Sequence, residues 1–163
     1  MRSDKRRMPA AVVGALLAGV AWVVVAGLVA LGHTTLTSSS PDHGARLAER
    51  PAAVELTFSE PVETGLSRFE VFRLDVPADA LDDPVHLEEL AGRWVAQASR
   101  SRRDEAPRVD TGLETDDPRS RTVRIGLPAD LEPGAYAVLW RVLSADSHVV
   151  QGFIVFVYEP AGP

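Results

Sequence analysis

Four histidines, His33, His43, His86 and His148, stand with the carboxylates as the strong metal ligands of this chain, because its 163 residues include no cysteine. The missing thiols also exclude a disulfide framework, a cysteine-ligated zinc or iron–sulfur site and a thiol nucleophile. His33 is set apart by its position. It follows Ala30-Leu31-Gly32, which fits the small-x-small rule for signal cleavage, and a cut after Gly32 makes His33 the new N-terminus. An N-terminal histidine offers its α-amine and its imidazole Nδ1 to one ion, closing a six-membered chelate ring. The amine's ordinary pKa is about 7.7, so yielding its proton to a metal near neutral pH costs little. No internal histidine can do this.

A second group is Ser144-Ala145-Asp146-Ser147-His148. Asp146 and His148 are two apart, so in an extended segment they point the same way. One imidazole and one carboxylate projecting from a sheet end complete a set begun by His33: three nitrogens and one oxygen. Nitrogen-rich tetragonal geometry suits Cu(II), although zinc accepts similar ligands. Taken singly, each residue has a plainer reading. Asp146 could cap a turn, His148 could be an ordinary surface histidine, and His33 could be a spacer after the signal.

The elements that must position these groups divide the chain in two. Met1–Met8 is basic, and Pro9–Gly32 runs 24 residues without a charge, 19 of them apolar. This is the pattern of an export signal, or of an uncleaved anchor, since 24 helical residues span about 36 Å. Either way residues 33–163 are expected outside the cytoplasm. Of the 17 basic and 23 acidic residues, residues 1–32 hold four and one, which leaves a net charge of −9 on the remaining 131. An acidic chain without basic clusters on its folded part is a poor nucleic-acid binder.

Residues 33–158 read as one all-β domain with a tail at 159–163. Val54–Phe58 alternates apolar and polar, as a half-buried strand does. Phe69–Leu74, Trp94–Ala98, Thr122–Leu127, Ala135–Leu143 and Val149–Tyr158 are further strands, with another around Leu36. Tyr136, Val138, Trp140 and Val142 share one face. Turn signals at Pro41–Gly44, Pro61–Gly65, Pro128–Asp130 and Glu132–Gly134 separate them. About seven short strands so spaced predict a Greek-key β-sandwich or small barrel. Pro77–Leu90 is acidic, with leucines that allow a turn or two of helix. The polar stretch at about 99–121 reads as a long exposed loop or insertion.

His33-x-x-Leu36-x-x-Ser39-x-Pro41-x-x-Gly44-x-x-Leu47 closely resembles the start of mature CopC-type copper-resistance proteins. The resemblance continues through Pro51-x-x-Val54-x-Leu56-x-Phe58-Ser59-Glu60-x-Val62. It returns in Gly134-x-Tyr136-x-Val138-x-Trp140-Arg141-Val142-x-Ser144-x-Asp146-x-His148-x-x-x-Gly152. The resemblance implies a cupredoxin-like β-sandwich that binds Cu(II) in the periplasm or cell envelope. His33 matches the N-terminal ligand, Asp146 the carboxylate and His148 the second imidazole. Glu60 falls where some members carry an additional acidic residue, and its plainer reading is a strand-end surface carboxylate. Trp140 and Arg141 match as core and near-site support. Ser147 stands where the family usually has glycine, which bears on the loop's backbone angles and removes no ligand. The methionine-rich Cu(I) segment of some members is absent, since Met1 and Met8 are the only methionines. His43 sits in a turn where the family has no histidine, and His86 lies outside the matched region.

The expected function is therefore metal binding and not catalysis: copper resistance or homeostasis, with Cu(II) sequestered or passed to a membrane transporter of the CopD type. Membrane contact follows only if residues 9–32 are retained. Two other classes share part of the pattern. Lytic polysaccharide oxidases use a similar N-terminal histidine brace, but no flat aromatic surface for a polymer is visible here. A metal-free anchored β-sandwich interaction domain follows if Gly32–His33 stays uncut.

Overall fold

The structure, a computed structural model, describes residues 34–98, 108–144 and 147–161. The expected export segment and its cleavage point lie outside these residues. Among the described residues the strands are β1 (Leu36–Ser40), β2 (Ala45–Leu47), β3 (Ala53–Glu63), β4 (Arg68–Leu74), β5 (Gly112–Leu113), β6 (Arg119–Gly126), β7 (Gly134–Leu143) and β8 (Val149–Tyr158). A 3-10 turn, Thr64–Leu66, precedes β4, and two helices, α1 (Ala78–Leu81) and α2 (Pro84–Ala98), follow it. One sheet has the order β1-β3-β6-β5 and the other β2-β8-β7-β4. All pairings are antiparallel except β2 with β8. The all-β sandwich expected from the strand pattern is the observed fold.

The alternation read in the sequence places the core. Val54, Leu56, Phe58 and Val62 of β3 face Phe69, Val71, Tyr136, Val138, Trp140 and Val142 of the opposite sheet, and all are buried. Phe58 touches both Phe69 and Trp140, with ring centroids 6.4 and 6.3 Å apart. Gly152 is required beside Trp140: a Cβ there would come within 2.5 Å of the indole.

The other face of β7 and β8 is apolar too, because α2 covers it. Phe72, Leu74, Ala135, Ala137, Leu139, Val155 and Val157 pack against Leu87 and Ala91, with Trp94 and Val95 partly buried at the edge. This corrects the expectation of a strand at Trp94–Ala98, which forms the end of α2. Leu87, Ala91, Trp94 and Val95 recur at helical spacing and make one face. Asp83 starts the helix: its Oδ1 accepts the N–H groups of Val85 and His86 at 3.0 and 3.1 Å, and Pro84 takes the first helical position. The acidic Pro77–Leu90 stretch thus holds more helix than the turn or two expected.

Within the expected loop at 99–121, the described residues 108–121 include strand pairing. Residues 99–107 lie outside the described residues, but Arg108 bridges to Phe72, β5 pairs with β6, and β6 begins at Arg119. The Val109 N–H donates to Val71 O at 2.9 Å, and the Val71 N–H donates to Asp110 Oδ2 at 2.9 Å. The Asp110 side chain is fully buried and paired with Arg108, and this hydrogen bond raises the guanidinium pKa further. No helix among the described residues is long and apolar enough to cross a membrane.

Candidate metal centre

Strand β3 is an inner strand of its sheet, yet its ladder to β6 breaks between Thr57 and Val62. Pro61 has no N–H to contribute there, which confines it to an irregular position. The strand bulges at Ser59-Glu60-Pro61, and Ser59 turns to the segment entering β1 instead. The Ser59 N–H donates to Thr35 O at 2.8 Å, and the Thr35 N–H donates to Ser59 Oγ at 3.0 Å. Thr34, the neighbour of His33 in the chain, is buried with 2% exposure.

The far end of the bulge meets the β7–β8 connection through a bridge between Val62 and Ser144. Ser144 is 3% exposed. Its N–H and its hydroxyl both donate to His148 O at 2.9 Å, and its Oγ accepts the His148 N–H at 3.2 Å. The Ser147 N–H returns to Ser144 O at 2.9 Å, which closes the turn. Three segments therefore meet at one end of the sandwich: the entry to β1, the β3 bulge and the β7–β8 turn.

Of the four expected ligands, His33 and Asp146 lie outside the described residues. Glu60 and His148 are both exposed and belong to segments joined by the Val62–Ser144 bridge. Glu60 Oε2 lies 3.6 Å from Arg121 Nη2, and both side chains are more than half exposed. An ion pair that open is worth little, so it gives way readily to another cation. Among the described residues no three His, Cys, Asp or Glu side chains form a group able to hold a metal.

The remaining histidines sit elsewhere. Nδ1 of His43 accepts the Val155 N–H at 3.3 Å, and its Nε2 lies 3.6 Å from Glu88. Val155 is seven residues along β8 from His148, about 23 Å at roughly 3.3 Å per residue. His86 is in the first turn of α2. Trp140 is core, as expected, whereas Arg141 is exposed on β7 opposite Arg68 of β4.

Ser147 has φ of +67°, the left-handed region that favours glycine. The departure from the family pattern thus falls on a position where glycine would relax the backbone. Ser147→Gly is expected to stabilise the domain by about 0.5–1 kcal/mol, the relief of left-handed strain less the extra chain entropy of glycine. Urea unfolding measures this, and a loss of stability would contradict it.

Comparison with known proteins identifies the family and the fold. The CopC domain family matches residues 36–159. The chain is 28% identical over 126 residues to copper transport protein CutJ of Bacillus subtilis (strain 168), covering 76% of this chain and 18% of that protein. It is 27% identical over 124 residues to protein YobA of Escherichia coli (strain K12), covering 76% of this chain and 77% of that one. The chain thus spans less than a fifth of CutJ and about three quarters of YobA. The crystal structure of CopC from Methylosinus trichosporium OB3b superposes with a TM-score of 0.55 at 23% identity, over 80% of this chain and 98% of that chain. PcoC, a copper resistance protein from Escherichia coli, superposes with a TM-score of 0.52 at 21% identity, over 77% and 99%. At that identity the solved structures speak for the fold alone. With the family matched from the start of β1 to just past β8, the chain belongs to the CopC domain family.

Proposed function

We propose that this chain binds Cu(II) outside the cytoplasm through His33, Asp146 and His148, with Glu60 alongside, and holds it as cargo for copper resistance or homeostasis. The observation that carries this reading is the convergence of the β1 entry, the β3 bulge and the β7–β8 turn at one sandwich end. Each expected ligand lies in or beside one of these segments. The donors favour Cu(II) over Cu(I): the chain has no cysteine, and both its methionines fall within residues 1–8. In this reading residues 1–32 direct export, and the cut after Gly32 creates the chelating amine. Copper is bound and released without turnover, and a membrane transporter of the CopD type receives it. The likeness to CutJ supports that last step, because the matched region is 18% of a protein described as a copper transport protein.

The test is to express the full chain, recover the exported protein and measure its intact mass and Cu(II) affinity beside His148→Ala. A mass beginning at His33 and an affinity at least about tenfold weaker in the variant, roughly 1.4 kcal/mol, are expected. Equal affinities would remove His148 from the site, and oxidation of a polysaccharide with reductant and oxygen would move the protein into the enzyme class.

A further inference from the structure

Two serines hold the backbone at Thr35 and at His148 in the same way. Ser59, in the β3 bulge, gives its N–H to Thr35 O at 2.8 Å and takes the Thr35 N–H on its hydroxyl at 3.0 Å. Ser144, at the end of β7, gives its N–H to His148 O at 2.9 Å and takes the His148 N–H on its hydroxyl at 3.2 Å. In each case one serine engages both the N–H and the C=O of a single residue. That residue is His148 itself in one case and lies two residues after His33 in the other. The two serines are tied together through the backbone, because Ser144 bridges to Val62, three residues beyond Ser59.

A hydroxyl is needed for this contact. The backbone N–H of either residue can satisfy the partner carbonyl, but the partner N–H must find an acceptor, and the serine Oγ supplies it. Alanine would remove that acceptor and the bond it makes. With the acceptor gone, the segment loses one of the hydrogen bonds that fix its backbone. A ligand set tolerates such a loss poorly, because groups behind the ligands fix how they point.

We propose that Ser59 and Ser144 are positioning residues of the metal centre, paired clamps that fix the backbone at Thr35, two residues after His33 in the chain, and at His148 before copper arrives. The inference rests on the copper reading above and adds to it the groups that pre-organise the site. The serines need not touch the ion.

The test uses the full chain, expressed with residues 1–32 and purified after export, with Cu(II) as the probe. Ser59→Ala and Ser144→Ala are compared with the parent by competition titration, by electron paramagnetic resonance of the bound Cu(II) and by thermal unfolding. Tyr136→Phe is the control. It removes the hydrogen bond from the Tyr136 hydroxyl to Glu132 O at the opposite end of β7. Both alanine variants are expected to bind Cu(II) about tenfold or more weakly, the usual effect of losing a group behind a metal ligand, and to show altered copper hyperfine splitting. The control is expected to keep affinity and spectrum while losing thermal stability. Ser59→Thr, which retains the hydroxyl, is expected to restore both affinity and spectrum.

Affinities within twofold of the parent and unchanged spectra in both alanine variants would overturn the clamp while leaving the copper site standing. Equal weakening in Tyr136→Phe would show a general stability effect and would overturn it as well. A parent that binds no Cu(II), or a His148→Ala variant that binds as the parent does, would remove the site reading and the clamp with it. Should Ser144→Ala not fold, Ser59→Ala and Ser59→Thr decide the question alone.

Discussion

A chain that keeps residues 1–32 will bind Cu(II) about a hundredfold or more weakly than the same chain beginning at His33, a difference of roughly 2.7 kcal/mol. The reason is chemical. At a free N-terminus the His33 nitrogen is an amine that can lose a proton and bind a metal. Within a continuous chain it is an amide, whose lone pair is delocalised into the carbonyl. The chelate ring with the imidazole then cannot close, and two separate ligands are left where a preformed pair had been. Competition titration of exported and leader-retaining chains measures the difference. Equal affinities would show that the amine is not a ligand and would favour a reading in which His33 is merely the first residue of the folded part.

Phe58→Ala will cost about 3–5 kcal/mol of folding stability, the range for emptying a buried aromatic site. Phe58 is 1% exposed and contacts Phe69 and Trp140 from the other sheet. The ring is thus a main inter-sheet contact at the end where the ligand segments meet. Removing it leaves a cavity directly beside Ser59 and the bulge. A domain of this size has only about 5–15 kcal/mol of stability in total, and this chain has no disulfide in reserve. The variant is therefore expected to unfold at much lower urea with an unchanged m-value, and to weaken copper binding as a secondary effect. A loss under about 1 kcal/mol would mean that the two sheets close over the gap, and that packing at this end is less specific than the ring contacts imply.

The parts of this fold that follow from side-chain alternation were legible in the sequence. Val54, Leu56 and Phe58 on β3 and Tyr136, Val138, Trp140 and Val142 on β7 are the inner faces, as their spacing says. What period-two reading missed was the second apolar layer. Ala135, Ala137 and Leu139 alternate with the core residues and are buried as well. A strand apolar on both faces demands a cover, and that cover is α2. Its C-terminal Trp94 and Val95 look like strand residues until Leu87 and Ala91 are counted on the same helical face. The pairing of 108–110 with β4 was not readable, because it depends on backbone groups and one carboxylate, not on a pattern of side chains. At the site, the motif order placed Glu60 and His148 in segments that do meet. Ser59 and Ser144 stood in the matched motif, but a motif does not say which backbone groups a hydroxyl meets. Ser147 was readable as the exception, and its positive φ is the physical content of that exception.

The carboxylate of Asp110 has a consequence for how this protein behaves in a crowd of its own copies. An outer strand of a sheet ordinarily offers a row of unused backbone groups on which another molecule can grow a strand, the first step of runaway polymerisation. On β4 the Val71 N–H is already taken by Asp110 Oδ2 and the Val71 carbonyl by the Val109 N–H. Any incoming strand would have to evict a buried, arginine-paired carboxylate before forming its first bond there. For a chain that must remain dispersed without a disulfide to hold it, that stopper is a form of quality control written into a single side chain.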